Sequence, residues 1–236
     1  MIDAHNPVFQ NVGGKIAWGK LPLSDRLLKN AAAVIVHNHG ILALAKQDYP
    51  DITFFNIPDP LEAIESYQAK RIERQIFVIC SFDPDEPVEM LLDSMAQLPD
   101  HTFILTADAL KLPQALQMKL QGLQNVRMTG FLPIQEYHAL LCSSAAALVL
   151  TTQDLIQPSG ACEALSSNTP LIVSNTPLIQ EIFGEWAILV DNSVSSMVDA
   201  IEQLKICDLD LSHYRIAWNQ LVDREIEKML NFLRLD

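Results

Sequence analysis

Residues 145–150 read Ala-Ala-Ala-Leu-Val-Leu, a short apolar run with polar residues on both sides. Such a run predicts a strand covered on both faces, and strands of that kind belong to parallel sheets flanked by helices. The next 25 residues narrow the choice further. Gln157 to Gly160 reads as a strand-to-helix loop, 161–167 as a short helix, Asn168-Thr169-Pro170 as a turn, and Leu171 to Val173 as a second buried strand. Two parallel strands joined through a helix require a right-handed crossover. In open sheets of this type ligands sit beyond the carboxyl ends of the strands. Thr151, Thr152, Ser159 and Gly160 fall there.

The same alternation extends outward in both directions. Strands are expected at 75–81, 102–105, 125–128, 145–150, 171–173 and 187–190, with helices near 85–97, 111–121, 134–143, 161–167, 177–183 and 194–206. Strict alternation of this kind predicts an α/β fold built on a doubly wound parallel sheet. A partial second α/β unit precedes it, with strands at 31–36 and 52–57 around a helix at 41–46. Ser24 is placed to cap an earlier helix reaching about Asn30, Asp85 to cap the helix reaching about Gln97 with Glu86 and Glu89 in its first turns, and Thr176, with Pro177 at the first helical position, to cap the helix at 177–183. Met1 to Asn6 begin without a lead-in pattern, as though the chain enters partway through a fold. The expected division is 1–60 for the partial unit, 61–75 for a connector, 76–206 for the main domain and 207–236 for a helical close. In that last segment Leu211, Tyr214, Trp218, Leu221, Val222, Ile226, Met229, Leu230 and Leu233 recur largely at helical spacing, which predicts one long amphipathic helix or two.

Gly160 would let a group approach the backbone closely, and a helix start points free N–H groups and partial positive charge toward it. A diphosphate suits such a place. Glu163, one turn on, can accept ribose hydroxyls on the rim of the same pocket; the plainer alternative is a carboxylate that complements the helix dipole. The formal charge of −13 repels a nucleic-acid backbone and an anionic lipid surface, so any phosphate must be held locally. Cys80, Cys142, Cys162 and Cys207 contain no Cys-x-x-Cys pair and are expected to be reduced. His37 and His39 would face one side of a strand at their two-residue spacing, but no third metal ligand is evident, and a polar strand exit is the expected reading. Gly13-Gly14-Lys15 lacks the phosphate-loop pattern. With no bilayer-length apolar run and no signal-peptide pattern, the expected location is cytoplasmic.

Gly160-Ala161-Cys162-Glu163-Ala164-Leu165 followed by Asn168-Thr169-Pro170-Leu171-Ile172-Val173-Ser174-Asn175 resembles the donor-binding signature of GT-B glycosyltransferases, especially the family 4 group. Val126-Arg127-Met128-Thr129-Gly130-Phe131 and Tyr137-His138-Ala139-Leu140-Leu141 resemble the strand, glycine loop and helix upstream of that signature, and the likeness spans roughly 76–205. The resemblance implies a Rossmann-like donor domain in which Glu163 holds the ribose of a nucleotide sugar and the turn before it, with Ser159 and Gly160, faces the diphosphate. It implies that residues 1 to about 58 correspond to the last part of an acceptor-binding domain, where Asp3 or His5 would match a catalytic base. Two positions depart from the family pattern. Leu155 stands where a second glutamate usually grips the sugar, and the first loop is acidic, Ser81-Phe82-Asp83-Pro84-Asp85-Glu86, where an Arg and a Lys usually neutralise phosphate.

The leading expectation is therefore a transferase that passes a sugar from a nucleotide-sugar donor to a saccharide or other acceptor, glycan or lipid-linked, in glycan or polysaccharide biosynthesis. Donor diphosphate would lie by Ser159 and Gly160, ribose at Glu163, and leaving-group charge by the hydroxyls of Thr151 and Thr152. Oriented dipoles would stabilise that charge, with no metal and no cofactor beyond the donor substrate. A partner chain or a second copy would complete the cleft, and a partner would supply any association with the inner membrane. Alone, the chain is expected to transfer poorly. The rival expectation, drawn from Leu155, the acidic loop and the abrupt start, is a non-catalytic binding or scaffold protein of the same fold. A dinucleotide-dependent dehydrogenase stands third, because no Gly-x-Gly-x-x-Gly follows a strand.

Overall fold

The structure is a computed structural model that describes residues 1–4, 8–9, 17–64, 70–205 and 210–234. The chain forms two compact units, one from Met1–Leu61 with His213–Asp236 and the other from Glu62–Ser212.

The first unit holds a three-stranded parallel sheet of β1 (Ile2–Asp3), β2 (Val34–Val36) and β3 (Phe54–Asn56), in that order. Helix α1 (Pro22–Lys29) starts on a proline, whose missing N–H costs nothing at that position, and Ser24 lies inside it rather than capping it. Helix α2 (His39–Asp48) is capped by Asn38, whose side chain accepts from the Ile41 N–H at 2.8 Å. The segment at the end of the chain is a single helix, α9 (Ser212–Arg234). Its apolar stripe of Trp218, Val222, Ile226, Met229 and Leu233 packs with Ile35, Phe55 and Ile57 of this unit. Asn219 pins it by accepting from the Leu61 N–H at 2.8 Å and donating to the Leu61 carbonyl at 2.7 Å. Much of the amphipathic pattern is thus spent on an intramolecular face, while Leu221 and Leu230 remain exposed.

The second unit is a six-stranded parallel sheet with the order β6-β5-β4-β7-β8-β9. The strands are β4 (Ile72–Val78), β5 (Thr102–Leu105), β6 (Val126–Met128), β7 (Ser144–Val149), β8 (Leu171–Ser174) and β9 (Ile188–Val190). Between them run α3 (Val88–Ala96), α4 (Gln114–Gly122), α5 (Ile134–Ser143), α6 (Ser159–Ser166), α7 (Pro177–Phe183) and α8 (Val194–Glu202). Every residue of β7 is buried, as a central strand between two helical layers requires. Its neighbours on the two sides, β4 and β8, are both parallel to it.

The order of the strands fixes where a ligand can sit. The chain builds outward from β4 to β6 on one side, then returns to lay β7 beside β4 and builds outward the other way. The order reverses between β4 and β7, so a crevice opens beyond their carboxyl ends. Two loops form it, residues 79–87 and 150–158.

A second expected cap is overturned as well. Asp85 does not cap the helix after β4: α3 starts three residues later at Val88, behind Pro87 and without a side-chain cap. Asp85 and Glu86 are engaged across the crevice and within the loop instead. The cap predicted for α7 is found, with the Ile179 N–H donating to Thr176 Oγ1 and Pro177 at the first helical position.

Candidate functional site

Asp85 ties the two crevice loops together. Thr151 Oγ1 donates to Asp85 Oδ2 at 3.0 Å, and Thr152 bonds the Asp85 carbonyl through both its N–H, at 2.6 Å, and its Oγ1, at 2.9 Å. Thr151 is held from below as well, its N–H donating to Ser174 Oγ at 2.9 Å and its carbonyl accepting from Asn192 Nδ2 at 2.9 Å. Both threonine hydroxyls named by the sequence thus serve the join between β7 and the first loop. Thr151 is fully buried and Thr152 is exposed.

Ser159 is exposed at the first position of α6, which has no side-chain cap. Gly160 is buried, and a Cβ built on it would lie 2.8 Å from Ile79 Cγ2. The glycine is required by the packing of α6 against the end of β4.

Glu163 looks into a cavity of about 470 Å³ at this end of the sheet. Its walls are largely apolar, from Ile79, Cys80, Ala107 and Leu132, with Tyr137, His138, Asp108 and Lys111 supplying the polar groups. Phe131 stands at the rim almost wholly exposed (96%), just after Gly130, whose φ of 62° is the left-handed conformation a glycine adopts freely. Tyr137 donates a short hydrogen bond to Glu163 Oε2 and is steadied by Phe77, whose ring it meets edge-on at 5.0 Å. Burial raises the Glu163 carboxyl above its ordinary range, while the Tyr137 hydroxyl and the nearby His138 pull it back. Burial, with the Glu163 charge beside it, pushes the Tyr137 phenol up, so it stays a donor. The arrangement is a desolvated carboxylate with one oxygen occupied, lining a largely apolar hollow, which suits a hydroxylated ligand with a flat apolar part. Roomier hollows lie elsewhere among the described residues. One of about 730 Å³ sits at the opposite ends of the strands, by Glu73, Arg74, Asp100 and His101, and one of about 760 Å³ lies on the α3 and α4 side of the 82–87 loop.

In the first unit, Asp3 ends β1 and its Oδ1 lies 2.7 Å from His37 Nε2, just past β2. His37 Nδ1 is 3.4 Å from Asp59 Oδ1. His39 is the first residue of α2, so the two histidines do not share a strand face. Among the described residues no group of three or more His, Cys, Asp or Glu side chains could hold a metal ion. His5, Gly13-Gly14-Lys15 and Cys207 lie outside the described residues.

Sequence reasoning named Glu163 but not Tyr137 as its partner. It read Asp85 and Glu86 as helix-entry residues. A tyrosine 26 positions upstream on a neighbouring helix leaves no local signal.

Residues 73–205 match the protein family described as glycosyl transferases group 1. No sequence among the curated proteins matches. Among solved structures, the fold is similar to that of Staphylococcus aureus TarM, crystallised with fondaparinux, alpha-GlcNAc-glycerol and UDP, at a TM-score of 0.69 and 15% identity over 98% of this chain and 50% of that one. It is also similar to sucrose-phosphate synthase from Thermosynechococcus elongatus, at a TM-score of 0.63 and 18% identity over 90% of this chain and 60% of that one. The pneumococcal O-GlcNAc transferase GtfA, solved with UDP and GlcNAc, gives 0.60 and 13% over 89% and 48%. The chain therefore spans about half to three fifths of the length of these structures.

Proposed function

The chain belongs to the glycosyl transferases group 1, and from that premise we propose that its second unit binds the nucleotide-sugar donor of a sugar transfer. The observation that carries this reading is Glu163, a partly desolvated carboxylate facing the 470 Å³ cavity with Oε2 held by Tyr137. The ribose hydroxyls bond to Glu163, the base lies against the apolar walls beside Phe131, and the diphosphate runs toward Ser159 at the start of α6. TarM and GtfA, each solved with UDP, lend this its donor chemistry. The acceptor is a saccharide or another hydroxylated molecule, in glycan or polysaccharide biosynthesis, and Asp3 with His37 is the proton-accepting candidate in the first unit.

No metal enters this reading, since leaving-group charge is met by oriented N–H dipoles. Among the described residues no helix is long and apolar enough to cross a membrane, and a cytoplasmic site of action is part of the proposal.

A thermal-shift panel of UDP, GDP, ADP and their sugar conjugates tests it. A member at a hundred times its dissociation constant stabilises by about 2.7 kcal/mol. No shift with any member favours the second reading, a non-catalytic protein of the same fold, for which Leu155 in place of a sugar-gripping carboxylate speaks.

A further inference from the structure

The loop after β4 carries its own anion. Glu86 folds back so that Oε1 and Oε2 lie 3.0 and 3.2 Å from the Ser81 N–H nitrogen, and Oε2 accepts from the Phe82 N–H at 2.8 Å. Ser81 Oγ adds a contact at 3.1 Å to Oε1, its single proton shared with Asp83 Oδ2 at 2.7 Å. Phe82 holds a φ of 58°, a left-handed conformation uncommon outside glycine, and its buried ring fixes it there. Consecutive N–H groups converging at such a turn form a concavity for anions. It lies at the crevice, since Ser81 also lines the Glu163 cavity. The surrounding charge has the same sign as Glu86. Asp83, Asp85 and Asp108 stand along the same edge, and Lys111 beside them is 3.6 Å from Asp83.

We propose that Glu86 is a specificity-determining residue: its carboxylate occupies the anion-binding turn of the β4 loop, so that the site recognises its ligand through the nucleoside and draws little affinity from the diphosphate. A diphosphate entering this turn would have to displace a carboxylate that already has its N–H partners, and would meet the repulsion of the neighbouring aspartates. Removing the Glu86 charge turns the loop into a phosphate site. The inference rests on the reading that a nucleotide binds the Glu163 cavity, but the turn itself can be tested without a nucleoside.

Calorimetry with uridine and UDP, guanosine and GDP, and adenosine and ADP gives the first arm. In the wild-type chain the best diphosphate should exceed its nucleoside by less than about tenfold, since the β4-loop N–H donors are spent on Glu86 and leave the phosphates the start of α6. Glu86→Ala should raise diphosphate affinity about tenfold or more and leave the nucleoside within about twofold. Glu86→Gln keeps an acceptor for the Ser81 and Phe82 N–H groups while removing the charge, and shows a smaller gain in the same direction if Glu86→Ala does not fold. Sodium pyrophosphate gives the second arm, binding the variant and not the wild type. A wild-type preference for diphosphate above about tenfold, or variants that gain neither diphosphate nor pyrophosphate affinity, would overturn the proposal. If no nucleoside or nucleotide binds any form, the donor reading fails, and pyrophosphate binding to the variant alone still decides for or against Glu86.

Discussion

Substituting Glu163 by glutamine isolates the charge on which the donor reading depends. In the structure Oε2 is engaged by Tyr137, so Oε1 and the remaining lone pairs carry whatever a ligand receives. Hydrogen bonds to a charged group contribute about 1.5–3 kcal/mol and neutral ones about 0.5–1.5, so each ribose bond to the glutamine is weaker by about 1–1.5 kcal/mol. One such bond costs close to tenfold in affinity and two cost closer to a hundredfold. Folding responds differently. The Tyr137 bond weakens by a similar amount when its acceptor loses charge, but a carboxylate that burial disfavours is also removed, and the two effects oppose. Stability should therefore change by no more than about 1 kcal/mol. Titration of the best nucleotide from the panel into both proteins by calorimetry, with a urea melt of each, reads the two quantities separately. Unchanged affinity beside a lowered midpoint would refute the reasoning and leave Glu163 as a residue that only holds Tyr137 and α6 in place.

Gly160→Ala should cost about 1–3 kcal/mol in a urea melt, because the added methyl meets the branched Ile79 side chain at 2.8 Å in a packed core; a neutral result would mean that α6 can slide away from β4. Thr151→Val keeps the shape but removes the donor to Asp85 Oδ2 and the acceptor of the Gln153 N–H, and should lower stability by about 1–3 kcal/mol. Glu163 and Glu86 both have carboxyls raised by burial, so their protons are bound more tightly folded than unfolded. The stability they favour is present below the ordinary carboxylate value and is lost as pH rises through their folded values, so Glu163→Gln should lose less stability than wild type as pH rises from the ordinary glutamate value of about 4.3 in urea melts.

Where the sequence was legible, the signal was a buried strand or a local cap. The apolar run at 145–150 announced β7 to within a residue, and the Thr176-Pro177 pair announced α7, because both are set by neighbours in the chain. The first unit was harder. Its strands run only two or three residues, half of each expected run at 31–36 and 52–57. The terminal helix could be drawn from its apolar period, but not which sheet it covers: β3 and the close of the chain are brought together by long-range packing of Trp218, Val222 and Met229 around Ile57. The pair of His37 with Asp3 shows the same limit, joining residues 34 positions apart.

The acidic loop shows why composition alone misleads about a site. Read along the chain, Asp83, Asp85 and Glu86 look like one block of negative charge guarding a helix entry. In the structure they divide. Asp85 spans to Thr151 and Thr152 and closes the gap that opens where the strand order reverses. Glu86 turns inward onto two backbone N–H groups, and Asp83 faces Lys111 and Ser81. A residue's charge sets only its cost of burial, whereas its partners decide whether that cost is met. The β4 loop meets it for Glu86 with the Ser81 and Phe82 N–H groups, so a run of like charges in the sequence resolves into three residues with different partners.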